Sequence, residues 1–412
     1  MLDLLKIIYG LLLPLTFFFP RISVPLLILM TITTACVTWT RPATKHFNKS
    51  ALLYIVPMLL FILWSAISCL WSPYPIQSLF SLLAFLGLIA IGITHVMVFS
   101  KLERTEQRQI IYSLLIGTLI TAIMMLADSL ASSPWSAYKG FNKEKLYAKV
   151  AMGTSFMGLL GWHYIKQLSY KIVFTISVVI SLLYSDCDAA ILAYCLGLLL
   201  YFLASIPKLQ KIIRISTLLI VPVCFLFLPF MLLKSGMDRE FILNWNKTGF
   251  LTHNSTLHRL VILSDTAETI SKKSIIGHGY NTSKFDEVNG GNQHFSVLDQ
   301  SQPEKPFVKL EYKAVHPHNF IMQLWLELGL IGVVLWLAFT LMILNIMTKN
   351  LNYNPLAFSL FLCGHIHLLV SIGLWQSWWW ALLFIITPCA LFFKKDSKTD
   401  KALSCGNFFN AI

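Results

Sequence analysis

An all-α polytopic membrane fold, with about twelve transmembrane helices and a large, mainly helical exterior loop, is what this sequence predicts. Three observations carry that expectation. Of its 412 residues 56% are hydrophobic and only 12% charged, with a mean hydropathy of +0.69, beyond what a soluble domain keeps in water. Apolar runs long enough for a crossing, roughly 17 to 25 residues each, follow one another with short connections. The Lys and Arg residues fall in alternate connections. The net charge of +13 therefore reads as a topology signal and not as a nucleic-acid surface.

Cutting at the charged connections places the spans at approximately 4–19, 22–39, 51–71, 76–99, 110–130, 149–165, 172–185, 189–205, 215–233, 319–346, 355–374 and 377–393. The first, seventh and eighth are short. The N-terminal run is read as a helix and not a cleaved signal peptide, because no small-residue cleavage site follows Phe19 and apolar sequence resumes at once. Arg41/Lys45/Lys49, Lys101/Arg104/Arg108, Lys166/Lys171, Lys208/Lys211/Arg214, Lys349 and Lys394/Lys395/Lys398/Lys401 share one side. The positive-inside rule makes that side cytoplasmic, with both termini there. The chain then divides into 1–233, nine spans; 234–318, an exterior loop domain; 319–393, three spans; and 394–412, a cytoplasmic tail.

Two exterior segments stand out. Ala131 to Lys149 carries four lysines, Lys139, Lys143, Lys145 and Lys149, against Glu144; its plain reading is a solvated connector, its sharper one contact with anionic headgroups or phosphate. Lys234 to His318 is far longer than a connector, and loops of that size are uncommon unless functional. Within it Leu257, Leu260, Val261, Leu263, Ala267 and Ile270 recur at helical spacing before Gly277 and Gly279, so a small cap of helices is expected. The eight cysteines lie in spans, at a helix end or in the tail, with no zinc-ligand spacing and none in the large loop. A phosphate-binding glycine loop, a nucleophile elbow and an internal repeat are all absent.

The chemistry concentrates at "HPHNFIMQLWLELGLIGVVLW", His316 to Trp336. On a helix starting near His318, Trp325, Gly329 and Gly332 fall within about 40° of the histidine, with Gly329 roughly 16 Å deeper. Such glycines let a second helix or a lipid-like chain approach, Asn319 can cap the helix, and His318 keeps a titratable nitrogen at the exterior boundary. Gln323 and Glu327 share the opposite face, where a carboxylate must meet protein or a wet cavity.

The spacing His318, Asn319, nine residues, Gly329, two residues, Gly332 resembles the motif of the O-antigen ligases, whose superfamily includes O-antigen polymerases and bacterial protein O-oligosaccharyltransferases. "RLVIL" supplies a matching Arg259 and Leu263, and "SCLWSPYPIQSL" is similar to the family's early Ser/Trp/Pro loop. The span map with its large loop before the tenth helix is similar too, so the resemblance covers nearly the whole chain. It implies inverting, metal-independent glycosyl transfer at the periplasmic face of the bacterial inner membrane. The implied donor is a glycan on undecaprenyl diphosphate, the acceptor of a ligase is a lipid A core sugar, and no cofactor is called for. His318 would take the acceptor proton and Arg259 would hold the diphosphate. Membrane lipids are the other partners, and nucleic acid is not one.

One position departs from the family. Where members carry Ser/Thr, x, Ser/Thr, Arg at the exterior start of a mid-chain helix, this chain has "YSDCDAAILA", with Asp188 in place of the arginine. A carboxylate cannot cradle diphosphate, so Lys149 or Arg239 is the candidate replacement, unless the activity is altered. Asp186 and Asp188 together also resemble the acidic pair of metal-dependent polyprenyl glycosyltransferases.

Plainer readings stand beside these. A histidine before a helix is most often a surface or capping residue, and an arginine on a loop helix a solvated one. His365 and His367, within a span but on different faces, are equally readable as neutral packing groups, His316 as a loop-positioning residue, and "WQSWWW", Trp375 to Trp380, as an interfacial belt. A twelve-span transporter is the competing function class, disfavoured by the one-sided loop and the lack of related halves.

Overall fold

The computed structural model describes residues 1–41, 51–131, 143–248, 254–289, 294–298, 307–311, 315–349 and 354–391. Most of the lysine-rich exterior segment and the whole cytoplasmic tail fall outside them, as do Lys45 and Lys49.

Each predicted span is helical. The first is divided into α1 (Leu2–Gly10) and α2 (Leu12–Phe18); then follow α3 (Ser23–Thr38), α4 (Ala51–Ser68), α5 (Pro75–Phe99), α6 (Arg104–Leu130), α7 (Lys143–Tyr164), α8 (Leu168–Tyr184), α9 (Asp188–Ser205) and α10 (Pro207–Lys234). After the exterior segment come α14 (Phe320–Lys349), α15 (Pro355–Val370) and α16 (Ser377–Leu391). Among the described residues five helices, α5, α6, α9, α10 and α14, are long and apolar enough to cross a membrane by length and composition; α3, α8, α15 and α16 are shorter apolar helices. Large apolar side chains such as Phe80, Ile123 and Leu219 face outward, as lipid solvation allows and water does not.

The bundle is built by pairing α9 with α15, α10 and α4 with α14, α16 and α3 with α5, and α1 with α6. Helix α6 opens with a capping box of Glu103 and Glu106, which satisfies two free backbone donors. Glu106 also takes a bidentate pair from Arg41, at 2.5 and 2.9 Å, so a charge that the sequence offers as a topology signal is also a structural tie.

The exterior segment holds α11 (Arg239–Lys247), α12 (Asn254–Lys272) and the short α13 (Asp286–Asn289). Helix α12 is the helix that the apolar spacing predicts, and Leu257, Val261, Ala267 and Ile270 are buried along it. The same segment contains an antiparallel hairpin that the helical reading did not anticipate, β1 (His294–Leu298) with β2 (Phe307–Glu311), pairing His294 with Glu311 and Leu298 with Phe307.

Helix α14 is not continuous. Gly329 has φ 63° and ψ −167°, a conformation essentially confined to glycine. The loop 274–279 crosses the break and repairs its backbone: His278 N donates to Leu326 O at 2.9 Å, Gly279 N to Glu327 O at 2.8 Å, and Leu330 N to Ser274 O at 2.8 Å. The Trp64 indole donates to Leu328 O at 2.9 Å and the Trp71 indole to Gly277 O at 3.2 Å. The early Trp/Pro loop and the exterior segment thus meet on this break. Two sequence-based expectations change here. The approach at Gly329 is taken by the chain's own loop and not by a second helix or a lipid-like chain, and the break ends the single helical face on which Trp325, Gly329 and Gly332 were aligned with His318. A Cβ on Gly332 would meet Leu328 of the same helix at 2.3 Å, and Trp325 turns to Phe225 O of α10, at 2.7 Å.

The Trp375–Trp380 run is also corrected. Trp378 and Trp379 are buried, Trp375 donates to Glu327, and the Trp380 indole donates to Leu374 O at 2.6 Å. With Trp378 and Trp379 buried and the Trp375 and Trp380 indoles donating to acceptors within the protein, these residues are internal anchors and not a headgroup belt.

Candidate active site

The site is organised by the turn that leads into α14. Asn319 Oδ1 accepts from Ile321 N at 3.0 Å and Met322 N at 3.1 Å, the capping role expected of it. One residue earlier His318 adopts φ 55°, a left-handed conformation uncommon outside glycine. Its backbone N–H donates to His316 Nδ1 at 3.1 Å, and the two imidazoles lie 4.4 Å apart. Gly373 leaves room for the His316 ring, since a Cβ there would sit 2.8 Å from it.

His318 Nδ1 lies 3.0 Å from Ser371 O. A carbonyl only accepts, so Nδ1 carries the proton and Nε2 keeps the lone pair. Burial pulls the His318 pKa down to about 4; the Ser371 bond opposes this, and the nearby charges of Arg259 and His258 add to it. Burial and His318 bring His316 down to about 3. Near neutral pH the pair is therefore uncharged, and His318 offers a basic Nε2 beside a guanidinium.

Arg259 comes from α12 and is half-buried. Its charge is felt at both His318 and Cys187, at the start of α14 and just before α9. Asp188 is the first residue of α9, with Cys187 as its N-cap. At that position its negative charge suits the helix N-terminus. Asp186 has φ 52°, so the turn joining the two aspartates is not helical; among the described residues no three His, Cys, Asp or Glu are grouped to hold a metal.

Lys149 reaches the opposite rim. Its Nζ stands 5.1 Å over the Trp378 ring, and the Trp378 indole donates to Gln376 Oε1 at 2.6 Å. Gln376 Nε2 is 3.2 Å from His316 Nε2, which places Gln376 against the histidine pair. Arg239 is placed elsewhere. With Asp238, Glu240, Asp265, Glu268 and Lys272 it lines a groove of about 640 Å³ between α11 and α12. That groove's α12 residues lie on another face of the helix from Arg259, by the 100° helical step.

Sequence reading missed Ser371, the acceptor that fixes the tautomer of His318, and the buried contacts of Glu327. A backbone carbonyl leaves no signal in side-chain chemistry. His365 and His367 prove to be packing groups. His365 Nδ1 is 2.9 Å from Phe361 O and its ring lies 4.1 Å from the Phe361 ring, and His367 Nε2 meets Ser155 Oγ at 2.9 Å.

Comparison with known proteins bears on this geometry. The family model described as O-antigen ligase matches residues 172–337. The chain is 27% identical over 361 residues to a candidate polysaccharide ligase of Rickettsia felis, covering 83% of this chain and 81% of the relative. A protein of the same description from Rickettsia bellii is 26% identical over 356 residues, with 83% and 81% covered, and one from Rickettsia prowazekii is 27% identical over 346 residues, with 78% and 76% covered. Over residues 172–337 the chain is similar to the O-antigen ligase family. No solved structure matches it. The O-antigen ligase match takes in Asp188, Arg239, Arg259, His318, Asn319, Gly329 and Gly332, while Lys149 lies before it.

Proposed function

We propose that the protein is an O-antigen ligase, which transfers a glycan from undecaprenyl diphosphate to a sugar of the lipid A core at the periplasmic face of the inner membrane. The observation that most supports this reading is the state of His318: neutral, with its proton fixed on Nδ1 by Ser371 O at 3.0 Å and its ring within the field of the Arg259 charge. An acceptor hydroxyl oxygen attacks the anomeric carbon of the donor's first sugar, and its proton passes to His318 Nε2. The bond from that carbon to the diphosphate oxygen breaks, its electron pair leaving with undecaprenyl diphosphate. Arg259 holds and neutralises the departing diphosphate, and Lys149 contributes the second cation in place of the family arginine. One displacement inverts the anomeric centre and needs no metal or cofactor.

In this reading all twelve helical segments cross the membrane, with both termini cytoplasmic. Residues 1–233 and 319–393 form the membrane body, 394–412 the cytoplasmic tail, and 234–318 the periplasmic cap that carries Arg259. The helicity of every predicted span and the polar cluster at the start of α14 support that arrangement. The experiment is the surface glycan of a strain lacking the gene. Bare lipid A core is expected; a core bearing a single repeat unit would point to a polymerase instead.

A further inference from the structure

Glu327 is completely buried, where an unpartnered carboxylate would be strongly destabilising. Four donors surround it. Asn281 N at 2.9 Å and the Trp375 indole reach Oε2, while Ser283 N at 3.3 Å and Gln323 Nε2 at 3.0 Å reach Oε1. All four come from segments adjoining the candidate site. Asn281 and Ser283 follow the loop that leaves the Arg259 helix, and Trp375 belongs to the link between α15 and α16.

Gln323 closes a circuit. Its Oε1 accepts from Leu374 N at 2.8 Å, and its own backbone N donates to Asn319 O at 3.0 Å. Ser371, three residues before Leu374, is secured on its other side by its N–H to His367 O at 2.9 Å and presents its carbonyl to His318. From His318 the contacts therefore run through Asn319, Gln323, Leu374 and Ser371 and return to the imidazole. A network serving stability alone has no reason to end on the carbonyl that selects a tautomer.

We propose that Gln323 and Glu327 are positioning residues for His318: they fix the 371–375 link, and through the Ser371 carbonyl they hold the imidazole proton on Nδ1 and keep Nε2 as the basic atom. The inference rests on the reading of His318 as the base. Its charged and titratable neighbours are His316 on its own segment and Arg259 and His258 on α12. Glu327→Gln keeps the size but turns an NH2 group toward two of the four donors, releasing the link.

The test uses the purified full chain in detergent, with transfer kinetics across pH and histidine-nitrogen NMR of the tautomer. For Glu327→Gln, kcat falls roughly tenfold or more with little change in KM, the acidic limb of the pH profile moves to still lower pH because the Ser371 bond that opposes burial is lost, and the Nδ1–H tautomer of His318 gives way to a mixture. Gln323→Met, which leaves Glu327 three of its donors, gives the same pattern and serves if the first variant does not fold. Tyr164→Phe, which loses a 2.6 Å bond to Cys389 O outside this circuit, is the stability control and leaves the pH profile unmoved. Wild-type kcat and tautomer in both site variants overturn the proposal, as does an equal change in Tyr164→Phe. Activity surviving in His318→Ala would defeat the base reading instead, while the tautomer measurement would still decide the positioning role.

Discussion

Replacing Gly329 by alanine should open the seam between the exterior segment and α14. The added Cβ would sit 2.3 Å from Ile275 O and 2.6 Å from Gly277 N, both backbone atoms that cannot rotate away. The loop must retreat by roughly 1 Å to restore an ordinary contact. The residue must also hold φ 63°, ψ −167°, at about 1–3 kcal/mol for a side-chain-bearing residue. Retreat sacrifices the bonds from Leu330 N to Ser274 O and Ile331 N to Ile275 O, 2.8 and 3.4 Å long, each worth about 0.5–1.5 kcal/mol net. Together these give a destabilisation of about 2–6 kcal/mol. Thermal unfolding of the purified protein reads the total, and limited proteolysis from the exterior side reads where the structure opens. Gly87→Ala is the control: it lies in α5 with nothing within 4 Å of the added Cβ and should be neutral or slightly stabilising. Should Gly329→Ala unfold within about 0.5 kcal/mol of wild type with an unchanged cleavage pattern, the account of the break as a glycine-dependent seam would be wrong.

Arg259→Lys should bind the polyprenyl diphosphate donor at least about tenfold more weakly, because it keeps the charge but loses the two-pronged donor geometry; equal donor binding would exclude a bidentate clamp. Burial holds His318 at about 4 and His316 at about 3, below the ordinary 6.5, so transfer should persist through pH 6 and fall only as pH approaches about 4. The sign for stability follows: neutral burial of these rings stabilises the fold above pH 6.5, and that contribution is lost as pH falls from about 6.5 through about 4. A rate midpoint near 6.5 would contradict the burial. Transfer in EDTA should match transfer without it, and Asp188→Arg, which adds a second guanidinium, should raise donor affinity. Activity lost in EDTA and restored by magnesium or manganese would show that a metal takes part.

Hydropathy made the helices legible because lipid-facing and buried residues are both apolar, so each span announces itself without reference to its partners. The helix carrying Arg259 was legible for the related reason that one face packs and one does not. The break at Gly329 was not. A glycine in an apolar run equally suits close helix packing, and only the loop 274–279 lying across it distinguishes the two. Trp375–Trp380 were misread because indoles serve membrane interfaces and buried hydrogen bonds alike, and the choice depends on acceptors such as Glu327, remote in sequence. At the candidate site His318 and Arg259 were legible through motif spacing, and the structure brings His318 within the field of the Arg259 charge. Arg239, indistinguishable from Lys149 as an exterior cation in the sequence, lines a separate groove while Lys149 lies over the Trp378 ring.

The central claim is that His318 is the base of a glycan transfer from a polyprenyl diphosphate. It is tested most directly by purified wild-type and His318→Ala proteins given undecaprenyl-diphosphate-linked glycan and lipid A core. Wild type should form the glycan–core product, and the folded variant should form it at least about a hundredfold more slowly while still binding donor. Product from the variant at the wild-type rate would contradict the account.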